Sequence, residues 1–283
     1  MSSSTSKPPA NSPPLIVPPL QNHKTTLIIL HSRGSTAHKF AEPLLTHLAS
    51  PLSRATTQRP NSPAGSPKSF RYHFPNTRFV FLTAPLRRAV VLKRSLTHQW
   101  FDNWSLIQPE LKQHLQVPGL RETSAFLHDL LNKEIEVVGA DNVVLMGLCQ
   151  GCAASIVAAL LWEGEAFGAL VGMWDTGKAG DDSLVEPGDD GEDIFERDCE
   201  GSGGGTKFER AWIPVFMGHG TEDDKVPCDI GRLAAEFLRG IDMNVDWKEF
   251  EGLGHWYSED MLRDVIRFIK GLNGWEDSYI TKN

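Results

Sequence analysis

The chain alternates short apolar, β-branched segments with longer segments of helical periodicity, and this order limits the folds open to it. Apolar runs of roughly four to eight residues are typical of buried parallel strands, whereas apolar residues three and four apart indicate a helix. Strands are predicted at 25–30, 78–83, 142–146, 168–174, 212–217 and 245–250, and helices at 38–49, 123–138, 150–162, 228–240 and 259–272. The alternation predicts one α/β domain, a mostly parallel sheet with helices on both faces.

Composition shifts predict where this domain is interrupted. Residues 1–24 are rich in Ser and Pro and are predicted to form a disordered leader. The domain is expected to span 25–275, with insertions at 51–72 and 178–208 and a tail at 276–283. No apolar run reaches the roughly 18 residues that a membrane span needs, so no membrane-spanning helix is expected.

The net charge of −8 is concentrated in one segment. Residues 181–200 hold ten acidic residues and one arginine, so the rest of the chain is close to +1. No basic patch with interleaved aromatic residues is present, and nucleic acid is therefore not an expected partner.

The chain has four cysteines, Cys149, Cys152, Cys199 and Cys228. They are too few for a disulfide framework in a chain of this size, which favours a cytoplasmic location. Neither a cofactor nor a metal site is predicted.

The pentapeptide Gly147-Leu148-Cys149-Gln150-Gly151 lies between a predicted strand and an Ala-rich predicted helix. This is the context of a nucleophile elbow, in which small flanking residues permit a sharp turn and expose the central side chain. The elbow would place Cys149 at a helix N-terminus, where the helix dipole favours a thiolate. Cys149 is the predicted nucleophile, and we expect its pKa to lie below the usual value of about 8.5.

Two further candidates follow predicted strands. Asp223 comes after the fifth strand and His255 after the sixth. Ligands of open parallel sheets bind at the carboxyl ends of the strands, so these side chains are expected near Cys149. The order nucleophile, acid, histidine is the order of α/β-hydrolases. His255 would take or hold the proton of the Cys149 thiol, and Asp223 would orient the imidazole. Asp224 is the second choice for the acid.

Four segments resemble the phospholipase/carboxylesterase family of α/β-hydrolases, which includes acyl-protein thioesterases. The segment 30–35 (LHSRGS) resembles the family's LHGxGD loop, and 100–102 matches its WFD segment. The elbow matches GxSQG with Cys149 in place of Ser, and 219–227 with 254–255 match HGxxDxxVP and GH. The resemblance covers about 25–272, and Ser32 and Ser35 depart from the family's Gly and Asp.

This resemblance implies an α/β-hydrolase fold and a site for acyl transfer. It implies an oxyanion hole formed by the backbone N–H groups of Gln150 and Arg33. It also implies that Trp100 and Phe101 lie near the mouth of the acyl site and bind substrate. The expected substrates are small-molecule esters or acylated proteins, hydrolysed through a covalent acyl-enzyme on Cys149 without a cofactor.

Three alternatives remain open from the sequence. The chain could be a catalytically silent binding protein that kept the fold, although the presence of both Asp223 and His255 argues against this. It could resemble the dienelactone hydrolases, whose elbow also reads G-x-C-x-G, although Gln150 and the WFD segment favour the thioesterase side. Finally, Cys149 and Cys152 form a C-x-x-C motif that could act in redox chemistry. The sequence does not predict the oligomeric state.

Overall fold

The computed structural model describes residues 12–50, 67–174, 213–254 and 257–275. In chain order the elements are β1 (Leu15–Val17), β2 (Thr25–Leu30), α1 (Ala37–Thr46), β3 (Leu48–Ala49), β4 (Lys68–Ser69), α2 (Phe70–His73), β5 (Thr77–Leu82), β6 (Leu86–Ala89), β7 (Ser95–His98), α3 (Gln116–Val138), β8 (Val143–Leu148), α4 (Gln150–Leu160), β9 (Ala169–Trp174), β10 (Val215–Gly220), α5 (Cys228–Gly240), β11 (Val245–Phe250) and α6 (Glu259–Lys270).

One seven-stranded sheet organises these elements, in the order β1-β5-β2-β8-β9-β10-β11. All neighbouring strands in it are parallel except β1, which pairs antiparallel with β5. Two small antiparallel pairs, β3 with β4 and β6 with β7, lie outside this sheet. The predicted α/β architecture, a mostly parallel sheet, is confirmed.

Helices cover both faces of the sheet, because successive strand residues point to opposite sides. Ile28 and Leu30 belong to one buried cluster, together with apolar residues of α3, α4 and α5. Leu27 and Ile29 belong to the other, together with residues of α1, α2 and α6. Every residue of β2 is buried, which explains why this segment carries no alternating polar residues.

The strand register brings several loops to one edge of the sheet. Leu30, the last residue of β2, pairs with Gly147, and His219 near the end of β10 pairs with Trp174, the last residue of β9. The carboxyl ends of β2, β8, β9 and β10 therefore lie at the same edge of the sheet, where ligands of such sheets bind.

Two predictions about irregular segments are wrong in part. Residues 15–17 of the predicted disordered leader form β1 and pair with β5, because this short apolar run completes the edge of the sheet. Within the predicted insertion at 51–72, Phe70 begins α2 and is fully buried in the core. Residues 1–11 and 51–66 lie outside the described residues.

Other element boundaries differ from the prediction by a few residues. Helix α3 begins at Gln116 and not at 123, since a proline in the first turn of a helix is tolerated and Gly119 packs closely on the backbone of Phe101. Strand β10 ends at Gly220, so His219 lies inside the strand and not after it. The segment 178–208 and the tail 276–283 are outside the described residues. No helix in the described parts is both long and apolar enough to span a membrane.

Candidate active site

Cys149 occupies a sharp turn between β8 and α4. Its backbone has φ 45° and ψ −110°, a conformation that residues other than glycine rarely adopt. Its N–H donates to the carbonyl of Met173 at 2.7 Å, which ties the turn to β9. Such strain persists only where surrounding structure enforces it, and it is the geometry expected of a nucleophile elbow.

The two glycines of the elbow are required by close backbone packing. A Cβ atom on Gly147 would lie 2.3 Å from the carbonyl oxygen of Gly151. A Cβ atom on Gly151 would lie 2.7 Å from the carbonyl oxygen of Leu30. Helix α4 therefore begins directly against β8 and β2, and this contact sets the position of Cys149.

A mostly apolar cavity of about 260 Å³ opens beside Cys149. Phe101, Leu106, Trp174 and Ile230 contribute to its walls, while Cys149, Gln150 and Arg33 contribute polar atoms. Cys149 is 6% exposed, so its side chain is nearly enclosed and yet borders the cavity. An apolar cavity with few polar groups next to this strained cysteine is the kind of site that binds a small, mostly apolar ligand.

The side chain of Gln150 connects the elbow to the WFD segment. Its Oε1 accepts a hydrogen bond from the backbone N–H of Trp100 at 3.0 Å, and its Nε2 donates to the carbonyl of Phe101 at 2.6 Å. Trp100 is fully buried and its indole N–H donates to the carbonyl of His31 at 2.7 Å, whereas Phe101 lines the cavity. Of the two predicted substrate-binding residues, Phe101 is therefore placed for contact and Trp100 supports the wall from behind.

The predicted oxyanion hole rests on the backbone N–H groups of Gln150 and Arg33. Neither donates a hydrogen bond to another described residue, and both residues line the cavity. Gln150 is the first residue of α4, so its N–H has no partner within the helix. The N–H of Gly34 donates to the carbonyl of His98 at 2.8 Å and helps to fix the loop that carries Arg33.

His31 shapes this loop from inside the protein. Its Nε2 accepts from the N–H of Ala84 at 3.0 Å, so Nδ1 carries the proton and donates to the carbonyl of Ser32 at 2.6 Å. Burial lowers the pKa of His31 to about 4, which keeps the ring neutral at physiological pH. His31 thus acts as a structural residue of the loop.

The guanidinium of Arg33 borders the same cavity. One Nη donates to Oδ1 of Asn103, whose Nδ2 in turn donates to the carbonyl of Ser105 at 2.8 Å. Burial lowers the pKa of Arg33, and the nearby Cys149 and Asp102 partly offset this effect. The side chain is treated as charged, because guanidinium groups stay protonated in proteins.

Asp223 is held rigidly in the loop after β10. Its Oδ1 accepts from the N–H groups of Lys225 and Val226, both at 2.9 Å, and its Oδ2 lies 3.2 Å from Nε2 of His219. The imidazole of His219 is fully buried and stacks on Trp174 with ring centroids 5.4 Å apart. His219 and Trp174 had no predicted role, although His219 begins the segment 219–227 that matches HGxxDxxVP and Trp174 ends a predicted strand.

His255, the predicted base, lies outside the described residues, but the chain just before it is placed. The carbonyl of Leu253 accepts from the N–H of Glu222 at 3.0 Å. A Cβ atom on Gly220 would lie 2.7 Å from the carbonyl oxygen of Gly254. The segment leading to His255 therefore packs against the loop that carries Asp223.

Cys152 lies on α4 and is fully buried. Burial and the neighbouring Cys149 raise the pKa of its thiol, and the two cysteines form no disulfide. A thiol that ionises only at high pH attacks a disulfide slowly, which disfavours the redox alternative. Within the four described ranges, no group of three or more His, Cys, Asp or Glu side chains is placed to hold a metal ion.

Comparisons with known proteins identify a family and related sequences. A family model described as phospholipase/carboxylesterase matches residues 61–172 and 205–273. The chain is 26% identical over 261 residues to acyl-protein thioesterase 1 of Gibberella zeae, an alignment that covers 91% of this chain and 94% of the relative.

Solved structures show the same fold. The crystal structure of Zea mays acyl-protein thioesterase 2 superposes with a TM-score of 0.61 at 18% identity, covering 91% of this chain and 97% of that one. That of Arabidopsis thaliana SOBER1 gives 0.59 at 21% identity, covering 87% and 98%.

Proposed function

The chain belongs to the phospholipase/carboxylesterase family, and we propose that it hydrolyses esters or thioesters through a covalent acyl-enzyme on Cys149. It is a hydrolase that acts on ester bonds, like the relatives that are named acyl-protein thioesterase. One observation carries the assignment of the nucleophile. Cys149 holds a strained positive φ at the start of α4 and borders an apolar cavity, the position that a nucleophile elbow gives its reacting atom.

In the first half of the reaction, the Cys149 thiolate attacks the carbonyl carbon of the substrate and a C–S bond forms. The carbonyl oxygen gains the negative charge, and the N–H groups of Gln150 and Arg33 would donate to it. The tetrahedral intermediate then collapses, the bond to the leaving thiol or alcohol breaks, and the leaving group takes a proton from His255. The product of this step is an acyl-enzyme.

In the second half, water attacks the acyl carbon while His255 takes a proton from it. Collapse breaks the bond between carbon and the sulfur of Cys149, which releases the carboxylic acid and restores the thiolate. Asp223 would orient His255 and stabilise its protonated form. Two backbone N–H groups and His219 already fix the Asp223 carboxylate for this role.

Sulfur as the attacking atom favours a class of substrate. A thiolate is a better leaving group than an alkoxide, so an intermediate formed from a simple alkyl ester would mostly return to substrate. Thioesters and activated esters expel their own leaving groups more readily, and we propose them as the preferred substrates. Acylated proteins are included, on the likeness to acyl-protein thioesterases. A cytoplasmic location stays a prediction from the cysteine content.

The proposal is tested by measuring hydrolysis of p-nitrophenyl esters and thioesters by the wild type, Cys149→Ala, Cys149→Ser, His255→Ala and Asp223→Asn. Losing one member of a triad leaves only binding and oxyanion-hole effects, so we expect a fall of several orders of magnitude for Cys149→Ala and His255→Ala. Asp224→Asn serves as the matched control for Asp223→Asn, because its side chain is 71% exposed. Near-normal turnover after alkylation of Cys149 would place the nucleophile elsewhere. A wild type without turnover, whose Cys149 alkylates no faster than a small thiol, would be a silent binding protein.

A further inference from the structure

The described walls of the cavity beside Cys149 carry positive charge. Among its described lining residues, Arg33 and Lys225 are cationic and none is acidic. Lys225 forms an ion pair with Asp224 at 3.4 Å and is largely open to solvent. The hydrogen-bond partner of Arg33 is the uncharged amide of Asn103, and the Arg33 side chain is half-buried among the apolar walls.

Two side chains of this cavity hold a buried nitrogen that has no hydrogen-bond partner among the described residues. They are Nε of Arg33 and Nε1 of Trp174, and both are N–H donors. Both nitrogens have almost no accessible surface, so a ligand in the cavity would meet the terminal nitrogens of the Arg33 guanidinium and not these two atoms. Because buried donors are nearly always hydrogen-bonded, the two nitrogens show that the donors of these side chains are not all satisfied by the described residues. A carboxylate suits a guanidinium, because it accepts two parallel N–H bonds at once.

We propose that the side chain of Arg33 binds a carboxylate on the acyl part of the substrate, so that the protein prefers thioesters or activated esters of dicarboxylic acids. The proposal rests on the proposed function, since it names the acyl group that Cys149 would receive. The backbone N–H of Arg33 keeps its separate role toward the reacting carbonyl oxygen. The side chain is thus a specificity-determining group placed next to the nucleophile.

The charge balance during the reaction supports this assignment. Cys149 as a thiolate is an anion near the Arg33 guanidinium. Acylation converts the thiolate into an uncharged thioester, so the guanidinium loses this anion at the step where the acyl chain enters the cavity. His255 gives up its proton in the same step, so the net charge of the site is unchanged, but the guanidinium no longer has the thiolate beside it. A carboxylate on the acyl chain would take the place of that anion. With a plain alkyl chain, Asp102 would be the remaining anion near this partly desolvated cation among the described residues, and losing part of the counter-charge of a desolvated cation is costly.

The test compares two thioesters of N-acetylcysteamine, the glutaryl thioester and the uncharged pentanoyl thioester. For the wild type we expect kcat/KM to be at least about tenfold higher for the glutaryl substrate. Removing one partner of a buried, hydrogen-bonded charge pair has large effects, so in Arg33→Met the glutaryl-to-pentanoyl ratio should fall about a hundredfold. Arg33→Lys, which keeps the charge without the planar fork, should give an intermediate ratio.

Lys225→Met is the matched control, because it removes the other cation of the same cavity wall. Its ratio should stay within about threefold of the wild type, since this lysine is exposed and already paired. An equal fall in Lys225→Met and Arg33→Met would show that general surface charge sets the preference, and would overturn the proposal. An Arg33→Met variant that loses both activities equally would also overturn it, because the side chain would then serve only the Cys149 thiolate.

If neither thioester is turned over, that result counts against the proposed function. A binding measurement then still tests whether Arg33 binds a carboxylate. Glutaramate and pentanamide both carry an unreactive amide in place of the thioester, and only glutaramate carries a carboxylate. Glutaramate should slow alkylation of Cys149 by iodoacetamide in the wild type, at concentrations where pentanamide does not, and should lose this effect in Arg33→Met. Equal protection by the two compounds contradicts the proposal, whatever the catalytic outcome.

Discussion

Two loops frame the same cavity, the elbow after β8 and the loop of residues 31–35 after β2, and they are held in different ways. The elbow is fixed by backbone packed on backbone, with no room for a Cβ atom on Gly147 or Gly151. The loop after β2 is fixed by hydrogen bonds with distant segments. The N–H of Ala84 donates to Nε2 of His31, and the indole N–H of Trp100 donates to the carbonyl of His31. From the loop itself, the N–H of Gly34 donates to the carbonyl of His98.

This difference shows which parts of the site tolerate a change of sequence. A turn held by backbone contact accepts only glycine at its crowded positions, so its pattern must be present in the chain. A loop held from outside keeps its shape while several of its side chains vary. The family's glycine and aspartate are accordingly replaced by Ser32 and Ser35 here, whereas the elbow glycines are present. Arg33 is part of the tolerant loop, which is where a change of substrate preference costs least in folding.

The largest effect is expected from Gly147→Ala in the elbow. The added methyl group would meet backbone atoms of Gly151 and Cys152 at 2.3 and 2.5 Å, and backbone in a helix start cannot move aside cheaply. We expect the free energy of unfolding to fall by more than about 3 kcal/mol, with loss of hydrolysis. Urea denaturation at constant pH measures the first effect.

Gly240→Ala is the control for this substitution, since a Cβ atom there meets nothing within 4 Å. It should be neutral or slightly stabilising, because alanine lowers the entropy of the unfolded chain. Equal effects of the two substitutions would mean that the elbow can relax, and the contrast between the two loops would fail.

A pH-dependent effect is expected from His31 in the loop after β2. Burial lowers its pKa from 6.5 to about 4, so folding favours the neutral ring. Its contribution is complete above pH 6.5 and is lost as the pH falls through this window towards 4, by about 3 kcal/mol in total. In His31→Gln, which does not titrate, the free energy of unfolding should fall less between pH 7 and pH 4 than in the wild type.

Urea denaturation at both pH values measures this difference, with the exposed His38→Gln as control. The control should lose stability on acidification as the wild type does. If His31→Gln follows the same pH dependence as the wild type, the ring is protonated without penalty and does not hold the loop through a neutral Nε2.

The sequence predicted the sheet and the elbow better than it predicted the walls of the cavity. Local patterns suffice where burial covers both faces of a strand, as in β2, or where only glycine fits, as at Gly151. His219 and Trp174 were missed because their stacking depends on the pairing of β9 with β10, which no local pattern contains. The same holds for β1, whose three residues form a strand only because β5 offers an unpaired edge.

The smallest effect is expected from Ser32→Gly, which restores the family's residue in the loop after β2. Ser32 is not among the residues with positive φ, so its backbone does not need glycine, whereas Gly34 has φ 79°. The contact of Ser32 with His31 uses its carbonyl, which glycine also has. We therefore expect the free energy of unfolding to fall by only about 0.5–1 kcal/mol, because the unfolded chain gains freedom, with little change in hydrolysis.

Gly34→Ala should lower the free energy of unfolding more, by about 1–2 kcal/mol, because alanine is strained at that φ. Urea denaturation and thioester assays of both variants check this order. If Ser32→Gly raised kcat tenfold, the serine itself would distort the oxyanion hole, and side chains would control the loop as tightly as backbone packing controls the elbow.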